Sequence, residues 1–112
     1  MKLTVLNEAV DIAGRLDPLI AKYEGLKAKA SGNEEFTYKI IIDKLANIKT
    51  VEELHAFLKL MSNNLKDESK KLIASKPDPS NLFATKTYQT RVASYKTSSS
   101  LFNEILAFYK KL

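Results

Sequence analysis

A chain of 112 residues with no cysteine and a formal net charge of +5 restricts the kinds of protein it can be. The length is typical of one domain that buries a core without metal or disulfide support, and the lack of cysteine excludes disulfides, thiolate catalysis and cysteine-ligated zinc. Because the chain has only three Gly and three Pro residues, an all-β fold with many hairpin turns is disfavoured.

The first predicted helix covers residues 4–30. Apolar residues recur along it at steps of three and four, which is the spacing of one helical face. Pro18 interrupts the pattern, because proline lacks a backbone N–H and clashes with the carbonyl group four residues earlier, here that of Gly14. Two alternatives stay open: one helix kinked near Pro18, or a break there, with Asp17 capping a new helix that begins at Pro18.

The second predicted helix covers residues 34–48. A Ser-Gly-Asn segment separates it from the first helix, and Gly32 in that segment suits the left-handed conformation that follows a last helical turn. Apolar residues from Phe36 to Ile48 again follow the helical spacing.

The third predicted helix covers residues 51–75 and has the best-defined start in the chain. Thr50 and Glu53 have the spacing of a capping box, in which each side chain bonds a free backbone N–H of the other residue. Pro77 and Pro79 end the helix, since two prolines this close cannot continue it.

Two more helices are predicted in the last third, at residues 80–96 and 100–112. Asp78 or Ser80 can cap the first of them. The Thr-Ser-Ser-Ser segment at 97–100 is interpreted as a polar break between the two. Together the elements predict an all-α, single-domain antiparallel helical bundle of four to five helices.

No stretch of the chain approaches the roughly 18 apolar residues of a membrane span. The first residues also lack an apolar run of signal-peptide length. We therefore expect a cytoplasmic protein without membrane contact.

Positive charge is concentrated in the last third of the chain. Residues 1–78 carry 13 Lys and Arg against 12 Asp and Glu, whereas residues 79–112 carry five against one. Such a bias favours phosphates or acidic proteins as partners. Only two of the cations are arginine, so sequence-specific reading of guanine edges is disfavoured. The candidates for phosphate or partner binding are Lys86, Arg91, Lys96, Lys110 and Lys111.

A helix over residues 86–96 would not align these cations in one row. Lys86 and Lys96 would lie on one side of an apolar stripe formed by Tyr88, Val92 and Tyr95, and Arg91 would lie beyond its other edge. The high Thr and Ser content of this stretch also leaves a β-strand open as an alternative.

The segment 100–112 carries apolar side chains over more than a narrow stripe. A face this wide either lies deep in a bundle or is completed by another chain. Its candidates for an exposed apolar interface are Phe102, Phe108 and Tyr109.

His55 is the one histidine, and it borders the apolar stripe of the third helix in a row with Lys59, Ser62 and Lys66. A partly exposed histidine beside lysines on a long bundle helix is similar to the site of histidine phosphotransfer domains, which present a nucleophilic His to an acidic receiver domain. The resemblance implies phosphotransfer through His55, with Lys59 beside it. In that family a Lys follows the His by three residues and a Gly by four, whereas Leu58 and Lys59 occupy those positions here.

No other group of residues marks a catalytic or metal site. Glu52 and His55 match the Glu-x-x-His spacing of di-iron bundles, but that site needs two such pairs. The glycine signatures of nucleotide-binding loops and of serine hydrolases are absent. We therefore predict no metal, no cofactor, no evident small-molecule substrate and no enzymatic activity.

Three functions remain. The first is a small non-enzymatic helical interaction protein, an adaptor, regulator or inhibitor that docks onto a larger protein or onto itself. The second is a nucleic-acid-associated accessory protein whose basic C-terminal third contacts phosphates without sequence specificity. The third is histidine phosphotransfer through His55.

Overall fold

The computed structural model describes residues 2–112, with side chains from residue 12 onward, and this part of the chain forms four α-helices and no strand. Helix α1 packs against α2, α3 packs against α4, and α2 also contacts α4. The predicted all-α fold is confirmed, and the arrangement fits a helical bundle. The helices are α1 (Lys2–Lys29), α2 (Gly32–Ala46), α3 (Val51–Ala74) and α4 (Leu82–Lys110).

Helix α1 runs through Pro18 without interruption, so the predicted alternative of a break there is wrong. Gly14 and Pro18 both lie on the exposed side of the helix, where the Gly14 carbonyl that loses its donor can bond water instead. On the opposite side Leu16 and Tyr23 are fully buried and hold both halves of the helix to the core.

The predicted left-handed conformation of Gly32, in the connection between α1 and α2, is confirmed. Gly32 has a φ of 62°, the left-handed conformation in which a Cβ atom is strained. Helix α2 begins at this residue and ends at Ala46, so both its ends lie two residues earlier than predicted.

The capping box at the start of α3 is confirmed. The Thr50 hydroxyl accepts a hydrogen bond from the Glu53 N–H at 3.1 Å, and the Glu53 carboxylate accepts one from the Thr50 N–H at 3.0 Å. The same carboxylate oxygen also accepts a bond from the Lys49 N–H at 2.9 Å. These local bonds fix the first residue of α3 at Val51, as the sequence predicts.

The start of α4 differs from the prediction. Asn81 caps the helix by accepting a bond from the Ala84 N–H at 3.0 Å, so the predicted cap at Asp78 or Ser80 is wrong. Asp78 accepts bonds from the backbone N–H and the hydroxyl of Ser80 instead, and these bonds hold the pKa of its carboxyl below the usual value.

Helix α4 also continues through residues 97–100, so the predicted break there and the strand alternative for 86–96 are both wrong. Ser and Thr cost at most about 0.7 kcal/mol each in a helix interior, and the segment holds no Gly or Pro that would end it. Full burial of one leucine or isoleucine contributes about 1.5–3 kcal/mol. Leu101 and Ile105 follow directly and are buried in the core, so packing outweighs the weak helix propensity.

The four helices form an elongated molecule, with extents of 62 × 28 × 18 Å. On α3 the last residue of the central buried cluster is Met61, and on α4 the first is Leu101. We call residues 66–96 the arm; they comprise the last part of α3, the connection that follows it and the first part of α4. Leu72 is the buried residue within the arm, and it does not belong to the central cluster.

A polar contact at the edge of the core joins α1 to α4. The Tyr23 hydroxyl donates to one oxygen of Glu104 at 2.8 Å, and Lys22 forms an ion pair with the other oxygen. Burial, reinforced by the bond to Glu104, raises the pKa of Tyr23 far above its ordinary value. Partial burial favours a higher pKa for Glu104, but the bonds from Lys22 and Tyr23 and the Lys22 charge outweigh it and bring that pKa below its ordinary value.

We expect Thr50→Ala to lower the free energy of unfolding by about 1 kcal/mol, because it leaves the Glu53 N–H without its capping acceptor. Urea denaturation measures the change. Thr90→Ala is the matched control, since the Thr90 hydroxyl bonds a carbonyl group within its own helix and alanine is the better helix former there. Equal destabilisation by the two variants would contradict a specific contribution from the cap.

We expect the stabilisation from Glu104 to be lost in acid. Because its folded-state pKa is lowered, the stabilisation is complete above the ordinary carboxyl pKa of 4.5 and disappears as the pH falls through the lower folded value. Glu104→Gln should therefore be less stable than the parent at neutral pH, and the difference should shrink on acidification. Urea denaturation across a pH series tests this.

Tyr23→Phe is the companion variant, since it removes one of the two donors to Glu104 and leaves the Lys22 ion pair in place. In this variant the stabilisation from Glu104 should disappear at a higher pH than in the parent, because the folded-state pKa of Glu104 is lowered less. A difference between the parent and Glu104→Gln that does not change with pH would contradict the argument.

Candidate functional site

The α3–α4 pair presents two grooves of different chemistry on opposite sides. One groove is bounded by α2, α3 and α4, and we call it the apolar groove. The other follows the contact between α3 and α4 on the far side, and we call it the polar seam. Leu65 and Tyr95 lie between the two and line both.

The apolar groove has a volume of about 350 Å³ and is lined mainly by aliphatic and aromatic side chains. Ile40 on α2 and Leu60 on α3 border it with 42% and 54% of their surface exposed. Phe36, one turn before Ile40, is also exposed. The remaining apolar residues that line the groove are Ile41, Phe57, Met61, Leu65 and Tyr95.

An ion pair closes one end of the apolar groove. Arg91 donates from Nη2 and Nε to a single oxygen of Glu68, at 2.8 and 3.2 Å, and from Nη1 to the Ser75 hydroxyl at 3.4 Å. Arg91 was a candidate for binding phosphate, and the structure shows its charge paired. The sequence does not reveal this pairing, because Glu68 lies 23 residues away.

The other predicted basic residues are not brought together. Lys86 and Lys110 are exposed near opposite ends of α4, about 36 Å apart along the helix. Lys96 lines a shallow cavity together with Lys22 and Glu104, and Lys111 follows the end of the helix. The basic C-terminal third therefore presents scattered cations and no continuous row.

The three predicted apolar interface residues lie against the core. Phe102, Phe108 and Tyr109 are partly buried and pack on the central cluster, so the large exposed apolar side chains lie elsewhere. The exposure of Leu60 and Ile73 could be predicted from the sequence, because both fall outside the apolar stripe of α3. Among residues 12–112, the large exposed apolar residues are Leu26, Phe36, Ile40, Leu60, Ile73, Leu82 and Phe83.

The polar seam contains the histidine and its predicted row. His55, Lys59, Ser62 and Lys66 line one cavity of about 350 Å³, as their spacing on α3 predicts. His55 is exposed, and its ring centre lies 5.8 Å from that of Tyr109 on α4. A second cavity of about 400 Å³ continues the seam toward the arm and is lined by Ser69 and Lys70 of α3 and by Ser99 and Asn103 of α4.

From residue 12 onward, no group of three or more His, Asp or Glu side chains is placed to hold a metal ion. Across the described part of the chain, no helix has the length and apolar content needed to cross a membrane.

Comparison with known proteins finds no family model that matches the chain, and no match among curated proteins or solved structures. The two grooves and the residues that line them are therefore the observations from which a function is proposed.

Proposed function

We propose that the protein is a small non-enzymatic adaptor, regulator or inhibitor that docks onto a larger protein through the apolar groove. The observation that carries the proposal is the partial exposure of Ile40 and Leu60 on the two walls of one groove. Grooves that bind amphipathic helices present apolar side chains of this kind on their walls. Covering these side chains with a partner would remove them from water and stabilise the complex.

The dimensions of the groove suit an amphipathic helix. Its α3 wall runs from Phe57 to Glu68, about 16 Å or three helical turns. A docked helix would present apolar residues at steps of three and four along such a length. The Glu68–Arg91 ion pair, with Asn33, Lys44 and Asn64, supplies the polar rim that surrounds the apolar centre of protein interfaces.

The proposal also includes the antiparallel order of the helices. Helices α1 and α2, which pack against each other, are joined by a connection of only two residues. Connections this short favour antiparallel neighbours. In that arrangement the arm extends from one end of the bundle and places Arg91 at the rim of the groove.

The other two functions have less support from the geometry. Phosphate binding by the C-terminal third is disfavoured because Arg91 is paired with Glu68, and because the remaining cations are scattered along α4. Phosphotransfer through His55 stays a prediction. The ring of Tyr109 occupies one side of the imidazole, which limits how a receiver domain would approach it.

We expect Leu60→Glu to weaken partner binding at least tenfold, because a charge in the groove would lose the burial of a leucine, worth about 1.5–3 kcal/mol. Affinity capture from the native host, with parent and variant compared at equal loading, identifies a partner that depends on the groove. Light scattering over a concentration series tests whether that partner is a second copy of the chain.

Leu82→Glu is the matched control, since Leu82 is a leucine with 75% exposure that does not line the groove. It should leave capture unchanged. A strictly monomeric parent that captures no protein, or an equal loss with both variants, would remove the proposal.

A further inference from the structure

The polar seam carries chemistry that the proposed function does not use. Three lysines stand along its α3 wall, Lys59, Lys66 and Lys70, over about 16 Å. All three are exposed. No Asp or Glu is among the residues that line the two cavities of the seam. The seam is therefore a groove of one charge sign, and it attracts an anionic chain.

Hydrogen-bonding groups accompany the lysines on both walls. Ser62, Asn63 and Ser69 come from α3, while Ser99 and Asn103 come from α4. Serine and asparagine side chains are common donors to phosphate and sugar oxygens. Lysine contacts phosphates as a point charge and does not read base edges.

Aromatic rings form a regular row on the α4 wall. Tyr95, Phe102 and Tyr109 recur every seven residues and line the seam, with about 10.5 Å between successive positions along the helix. All three are partly buried, so each keeps part of its surface at the groove. Aromatic side chains beside a positive groove are the arrangement with which proteins hold unpaired bases.

Three acidic groups close to the seam are directed elsewhere or lie outside its lining, and Glu52, which precedes His55 on α3, also lines neither cavity. Glu68 is paired with Arg91 at the apolar groove on the other side of α3. Glu104 is held by Lys22 and Tyr23 on the side of α1. Asp67 is exposed on α3 and lines neither cavity of the seam.

We propose that the polar seam is a binding site for single-stranded nucleic acid without sequence specificity. Lys59, Lys66 and Lys70 contact successive phosphates, and the serine and asparagine side chains bond the backbone. The exposed surfaces of the aromatic row stack against the bases. This combination favours a nucleic acid over an acidic protein segment, which would use the lysines and leave the aromatic row without a role.

Fluorescence anisotropy with a labelled oligothymidine at two salt concentrations tests the proposal. Three phosphate contacts predict a slope of log K against log salt of about −2, since each contact on a single strand contributes about −0.7. The triple variant Lys59→Gln, Lys66→Gln, Lys70→Gln should bind at least tenfold more weakly and show a slope near zero. Circular dichroism checks that the variants remain folded.

The matched control is Lys29→Gln, Lys39→Gln, Lys76→Gln, which changes the net charge equally at three exposed lysines outside the seam. The affinity of this control variant for the oligonucleotide should fall by less than threefold. Tyr95→Leu changes a ring outside the central cluster that lines the apolar groove as well as the seam, so its effect is measured on oligonucleotide binding alone. It should weaken that binding about fivefold, as the loss of roughly 1 kcal/mol of stacking would.

Four results would overturn the proposal. The first is absence of binding at low salt, and the second is equal loss in the two triple variants. The third is tighter binding of a duplex than of the single strand. The fourth is displacement of the oligonucleotide by polyglutamate at equal charge concentration, which would assign the seam to an acidic protein segment. None of these measurements depends on Leu60, so the proposed protein-docking function is tested separately.

Discussion

The continuity of α4 is the constraint on which both grooves depend. The helix has 29 residues, about 43 Å, and contacts α2 and α3 along its length, while Glu104 joins it to α1. Because it does not break at residues 97–100, Tyr95 and Phe102 keep a fixed relation on one helical face. A break there would let the arm turn away from the core and would separate both grooves into unconnected halves.

Helix α3 separates two grooves of different chemistry, one on each side. Leu60 and Phe57 face the apolar groove, whereas Lys59 and Lys66 face the polar seam, less than one helical turn away. Such a division keeps desolvation costs low on each side, since no lysine of the seam must be buried when an apolar partner covers Leu60. A small chain can in this way offer an apolar and an anionic partner separate surfaces.

Features that depend on neighbours in the chain were predictable from the sequence. The Thr50–Glu53 capping box, the left-handed Gly32 and the row from His55 to Lys66 all follow from spacing within one turn or one helix. The continuity of α4 could not be predicted in this way, because its Ser and Thr residues are held in the helix by the burial of Leu101 and Ile105. The pairing of Arg91 with Glu68 and the apolar groove depend on how separate helices meet, which no local pattern encodes.

The isolated burial of Leu72 has a thermodynamic consequence for the arm. Outside the central cluster, the two helices of the arm are joined by this leucine, by the Arg91–Glu68 pair and by half-buried side chains such as Tyr88 and Val92, so their separation requires less free energy than unfolding of the core. Both grooves extend onto the arm. A ligand in either groove would therefore restrict the motion of a wall that the other groove shares.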